Sequence, residues 1–155
     1  MAQGDIRFFA GALLEAFKGT HNLPANTLKV GLITNAATPV VGDTDPRWGA
    51  GGSVNFATNQ VTPGGNYATG GAALASVTWT NVSGVMTLRA TDPVIAQHAS
   101  NPTNARWGII YNDTATNKNA IGFIDFGSVR DLTTGPFTID FGGAGTDVLT
   151  ITPQA

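Results

Sequence analysis

Two hydrophobic periods divide this chain. Ile6, Phe9, Ala10, Leu13, Leu14 and Phe17 recur at helical spacing, with Arg7, Glu15 and Lys18 on other faces. That pattern predicts an amphipathic helix over about 5–18. Asp5 suits the N-cap because its carboxylate can accept a hydrogen bond from a free backbone N–H. Lys18 suits the last turn, and Gly19 can take the left-handed conformation that ends a helix. From Leu28 the period is two: Leu28, Val30 and Leu32 alternate with Lys29, Gly31 and Ile33, which predicts a strand over 28–34. Further strands are expected at 73–80, 85–91, 107–111, 120–126, 137–141 and 148–152. They are rich in Val, Ile, Thr, Phe and Trp and bounded by Gly, Asn, Asp or Pro. Asn81-Val82-Ser83-Gly84 reads as a hairpin connection, and 112–119 as a longer one.

One helix followed by short strands, with no later helix, excludes a parallel βαβ sheet. The expected class is mainly β: an antiparallel β-sandwich or flattened barrel with the N-terminal α-helix packed on one side. All 155 residues fit a single soluble domain, since such a length buries roughly 70% of its unfolded surface in one core. Residues 36–71 stand apart. They hold Pro39, Pro46, Pro63 and several glycine clusters, with one short strand expected at 53–58. A segment of this length is either a loop or an arm that orders against a neighbour. Ile124-Asp125-Phe126-Gly127 recurs as Ile139-Asp140-Phe141-Gly142, which reads as two strands with Ile and Phe inward and Asp outward.

Composition removes many functions. Eight Lys plus Arg against ten Asp plus Glu leave no basic excess for nucleic acid. No apolar run approaches the ~20 residues that span a bilayer, so no membrane partner is expected. The start, Met-Ala-Gln-Gly-Asp, lacks the features of a secretory signal. Absence of cysteine excludes disulfides, thiol catalysis and a cysteine zinc site.

The chemical motifs are equally sparse. His21 and His98 have no metal-ligand spacing and read as surface histidines. No serine sits in a nucleophile elbow. Asp125 and Asp140 would form a catalytic pair only on neighbouring strands, and their alternation with Ile and Phe places both in solvent. The Gly142–Gly145 run precedes a strand rather than a phosphate-binding helix. Asp43-Thr44-Asp45 lacks the glycine and glutamate of an EF-hand. No cofactor, metal or catalytic residue is therefore assigned. Trp79 and Trp107 fit core positions on strands. Trp48, after Pro46-Arg47, either meets a partner or folds back over the domain's own core. The candidate partner-contact residues are Arg47, Trp48, Val54, Phe56 and Tyr67 in the long segment, with Phe9 and Leu13 on the helix.

Taken along the chain, several segments are similar to one family. They are the opening Phe8–Phe17 helix, His21-Asn22-Leu23, Thr27–Leu32, Tyr67-Ala68-Thr69-Gly70-Gly71, Ala105–Asn112, Ile124–Gly127 and Gly135–Phe141. This pattern resembles the small structural, minor capsid or decoration (cement) proteins of tailed bacteriophages, over nearly the full length. The resemblance implies a non-enzymatic virion protein made in the bacterial host cytoplasm and placed on the capsid surface. It implies contacts with the major capsid protein and self-association as a dimer or trimer. A tail or head-completion component is the first alternative. A carbohydrate-binding or receptor-binding β-sandwich using the tryptophans is the second.

Overall fold

A computed structural model describes residues 6–141 and 147–152. The Asp5 cap, the Gly142–Gly145 run and the last residue of the second Ile-Asp-Phe-Gly lie outside the described residues. The elements in chain order are β1 (Ile6–Phe8), α1 (Ala10–Phe17), β2 (Leu28–Ile33), β3 (Pro46–Arg47) and β4 (Val54–Asn55). After a 3-10 turn at Phe56–Asn59 come β5 (Ala72–Ala73), β6 (Ala75–Val82), β7 (Val85–Thr91) and β8 (Val94–Ile95). The chain ends with β9 (Ala105–Asn112), β10 (Ala120–Arg130), β11 (Phe137–Thr138) and β12 (Asp147–Ile151). The class is as expected: mainly β, sandwich-like and antiparallel, with one α-helix among the described residues.

A five-stranded sheet in the order β1-β10-β9-β2-β5 forms the centre, and a second sheet has the order β12-β7-β6. Two small pairs, β8 with β11 and β3 with β4, complete the strands, the last being parallel. Between β6 and β7 the expected hairpin closes at Val82 and Val85, with Ser83 and Gly84 both at positive φ. Paired positive φ values give the turn a twist that matches the flanking strands.

The opening segment differs from the expectation. Ile6, Arg7 and Phe8 pair with Ile124, Phe123 and Gly122 as an edge strand, so the helix begins only at Ala10. Ile6 and Phe9 satisfy a helical period, whereas Ile6 and Phe8 satisfy an extended one. Hydrogen bonding to the free edge of β10 decides between them. Phe9 occupies the cap position without a side-chain cap bond. The end of the helix follows the sequence: Gly19 has φ 82° and its N–H bonds the Ala16 carbonyl.

Successive residues of β9 and of Ala120–Phe126 are buried almost without exception, so both faces of the central sheet are covered. Leu88, Ala90 and Val148 of the second sheet join the same core. The remaining cover is the segment 36–71, which folds onto its own domain. Trp48 lies flat on Tyr111, with ring centroids 5.0 Å apart and planes 7° from parallel. Its indole also spans Gly31, where an added Cβ would come within 2.3 Å of the ring. Phe56 stacks on Phe9 at 5.7 Å, and Phe9 meets Phe123 in a tilted contact at 5.1 Å.

The same segment completes the hydrogen bonding of β2 where short β5 stops. Leu32 N–H donates to the Tyr67 hydroxyl at 2.7 Å, and Val61 N–H to the Leu32 carbonyl at 3.1 Å. Burial pushes the Tyr67 hydroxyl up to about 12. Trp48 N–H donates to the Lys118 carbonyl, tying the segment to the β9–β10 connection.

Two substitutions test this packing. Trp48→Ala removes a buried aromatic and is expected to cost about 3–5 kcal/mol in urea unfolding. Gly31→Ala forces a methyl into the indole plane and is expected to cost about 3 kcal/mol, the upper end of overpacking. Wild-type unfolding midpoints for both would contradict the stacking.

Candidate functional site

The inner face of α1 is made by Phe9, Gly11 and Ala12, all buried. Gly11 lies against the Thr44 carbonyl, and Ala10 N–H donates to the Val41 carbonyl at 2.8 Å. This close seating turns the rest of the apolar stripe outward. Leu13 is 47% exposed, Leu14 54% and Phe17 89%. Beside them runs an apolar groove of about 220 Å³ between the helix and the second sheet. Phe8, Ala12, Leu13, Phe17, Trp79 and Met86 contribute to its walls. Charge on the helix is internally settled: Glu15 pairs with Lys18 at 2.8 Å, and that hydrogen bond, with another from Thr20, holds its carboxyl below the usual range.

His21 also lines the groove, and it is not a surface histidine: only 8% of it is exposed. Its Nδ1 lies 3.2 Å from Asn112 Nδ2. That amide nitrogen can only donate, and its two hydrogens are shared among His21 Nδ1, the Thr20 carbonyl and Asn26 Oδ1, so Nδ1 stands as an acceptor and the proton sits on Nε2. Nε2 is buried without a partner. Burial holds the imidazole pKa below its ordinary value, and Glu15 only partly opposes this. His98 is exposed, with Nδ1 accepting from Ser100 N–H at 3.0 Å.

The residues singled out as partner contacts separate into two groups. Phe9, Trp48, Phe56 and Tyr67 are buried in the chain's own core. Val54 is partly buried against it. Arg47 makes a two-pronged bond to Asp45, at 3.0 and 2.7 Å. Leu13 is left as the exposed member, joined by Leu14 and Phe17. The helical period named all three of these, but it could not say that the helix would seat on its glycine and alanine.

No arrangement for catalysis emerges among the described residues. Asp125 points inward, correcting the outward placement: it is buried, bonds Arg106 and accepts from Gly127 N–H at 2.7 Å. The Arg106 hydrogen bond, ahead of the Gly127 one, holds its carboxyl below the usual range. Asp140 follows β11, which pairs with β8 and not with β10, so the two aspartates are not on neighbouring strands. Asp45 is engaged by Arg47, and no group of three His, Asp or Glu side chains among the described residues could hold a metal. Trp79 is partly buried and Trp107 buried, as their strand positions suggested. No helix among the described residues is long and apolar enough to cross a membrane.

Compared with protein-family models, with curated proteins and with solved structures, the chain gives no match.

The histidine yields a pH prediction. An unfolded histidine binds its proton near pH 6.5, whereas folded His21 resists it. The unfolded state therefore binds more protons once the pH falls below that value, and stability must drop with it. Thermal melts between pH 7.5 and 5.5 should show a falling midpoint for wild type and a flatter profile for His21→Gln. Equal slopes would contradict the buried neutral imidazole.

Proposed function

We propose that this chain is a non-enzymatic building block of a phage particle, a decoration protein that seats on the head and reinforces contacts between major capsid subunits. The observation that carries the reading is the outer face of α1, where Leu13, Leu14 and Phe17 stand exposed beside an apolar groove. Apolar side chains held on a helix that is itself fixed to a sheet lose little freedom on docking, so their burial goes largely into affinity. Leu13 and Phe17 on the wall of the groove, with Leu14 exposed beside them, can serve as the anchors of a protein interface. The phage identity comes from the sequence resemblance. In this reading the partners are the major capsid protein and further copies of the chain, and assembly follows synthesis in the bacterial cytoplasm. No cofactor is needed.

The double variant Leu13→Ser/Phe17→Ser tests the reading. Fully burying each side chain contributes about 1.5–3 kcal/mol, so occupancy on purified particles should fall at least tenfold. Its melting temperature should change little, because both residues are exposed in the free chain. Unchanged occupancy would refute the docking face. Copy number separates the positions on a particle: hundreds per virion fit decoration, whereas six or twelve would point to a tail or head-completion part.

A further inference from the structure

A second site lies away from the α1 face, in the polar loops beside Asn112. This asparagine, fully buried at the end of β9, fastens two loops to each other. Its Nδ2 reaches the Thr20 carbonyl at 3.1 Å and Asn26 Oδ1 at 2.7 Å, while its Oδ1 accepts from Thr114 and Ala115 N–H, both at 3.1 Å. Thr27 N–H donates to Thr114 Oγ1 at 2.8 Å, and Asp113 N–H returns to the Thr27 carbonyl at 2.9 Å. The loops are thus held in place from below.

Between them opens a cleft of about 350 Å³, lined by Thr20, Asn26, Thr114, Thr116, Asn117 and Asn119 with one alanine. None of these side chains is charged. The charges nearby are consumed by one another, because Asp113 accepts from both Lys29 and Lys118. Thr116 and Asn117 are exposed and make no side-chain hydrogen bond with another described residue. Asn119 is the buried member of the lining, 4% exposed, and its Oδ1 has no hydrogen-bond partner. That atom is closed off from solvent, so the groups of the lining most open to a ligand are those of Thr116 and Asn117.

We propose that this cleft binds a neutral sugar unit. Amides and hydroxyls both donate and accept, which matches the hydroxyls of a pyranose ring. The lining offers no unpaired cation for an anionic ligand, and its only apolar groups are the methyls of Ala115 and the three threonines, each threonine methyl sitting beside a hydroxyl. The volume lies at the small end of ligand sites, roughly 300–1,000 Å³, which suits one ring and not an extended chain. The site owes nothing to the tryptophans, which serve the core and the groove, and it is independent of the α1 docking face.

The experiment is an amide NMR titration of the full chain with glucose, galactose, mannose, rhamnose and N-acetylglucosamine, with N-acetylneuraminic acid as the charged comparison. At least one neutral sugar should give saturable shifts at Thr20, Asn26, Thr116 and Asn117. Thr116→Ala/Asn117→Ala should weaken it at least tenfold with an unchanged melting temperature, and Leu13→Ser/Phe17→Ser should bind as wild type. A glycan array then separates a free monosaccharide from the terminal residue of a surface glycan, either of which fits the cleft. No saturable shift with any neutral sugar would overturn the proposal. So would wild-type affinity in the Thr116/Asn117 variant, or tighter binding of the charged sugar.

Discussion

A sheet whose central strands are apolar on both faces has to be covered twice, and here only one cover includes a sheet. The other is a stretch rich in glycine and proline, fixed by one aromatic contact: the Trp48 indole lying flat on Tyr111 and across Gly31. That contact exists because Gly31 has no Cβ and so leaves room for a ring against the backbone. Much else depends on it. With Trp48 seated, β3 and β4 can pair, Phe56 meets Phe9, and the chain returns along β2 to supply the partners that short β5 cannot. The Tyr67 hydroxyl and the Val61 amide then satisfy a strand whose edge would otherwise be open.

This arrangement decides which apolar side chains stay exposed. A segment committed to covering the sheet is not free to act as an arm, and its aromatic side chains are spent inside. The helix is in the opposite position. It is anchored through glycine and alanine, so its bulkier residues remain outside, beside a groove that the second sheet leaves open. Low charge and few lysines suit the docking face proposed above, since long flexible side chains would resist immobilisation at an interface.

Period-two alternation and turn residues located most of the strands and the class of the fold. Where they failed, the reason was a long-range partner. Ile6–Phe8 became a strand because β10 offered an edge, and no local pattern carries that information. Asp125 turned inward because Arg106, nineteen positions earlier, was there to meet it. His21 was buried by loops that Asn112 holds together. The two readings of Trp48 could not be separated locally, because the space above Gly31 exists only once β2 and β9 are paired. Leu13 and Phe17 were legible as apolar helix residues, yet their exposure follows from the seating of Gly11. The Thr and Asn cleft left no signature, for its residues come from two loops far apart in the chain.

The most direct test of the covered-sheet account is hydrogen exchange at the amides of Leu32, Trp48 and Val61 in the isolated chain. All three bonds join the cover to the rest of the domain, running to Tyr67, Lys118 and Leu32 respectively. The account predicts that they exchange as slowly as the amides of β9 and β10, by unfolding of the whole domain. Exchange of Trp48 and Val61 at the rate of an unprotected peptide, with β9 still protected, would show that the segment is a detachable arm and would contradict it.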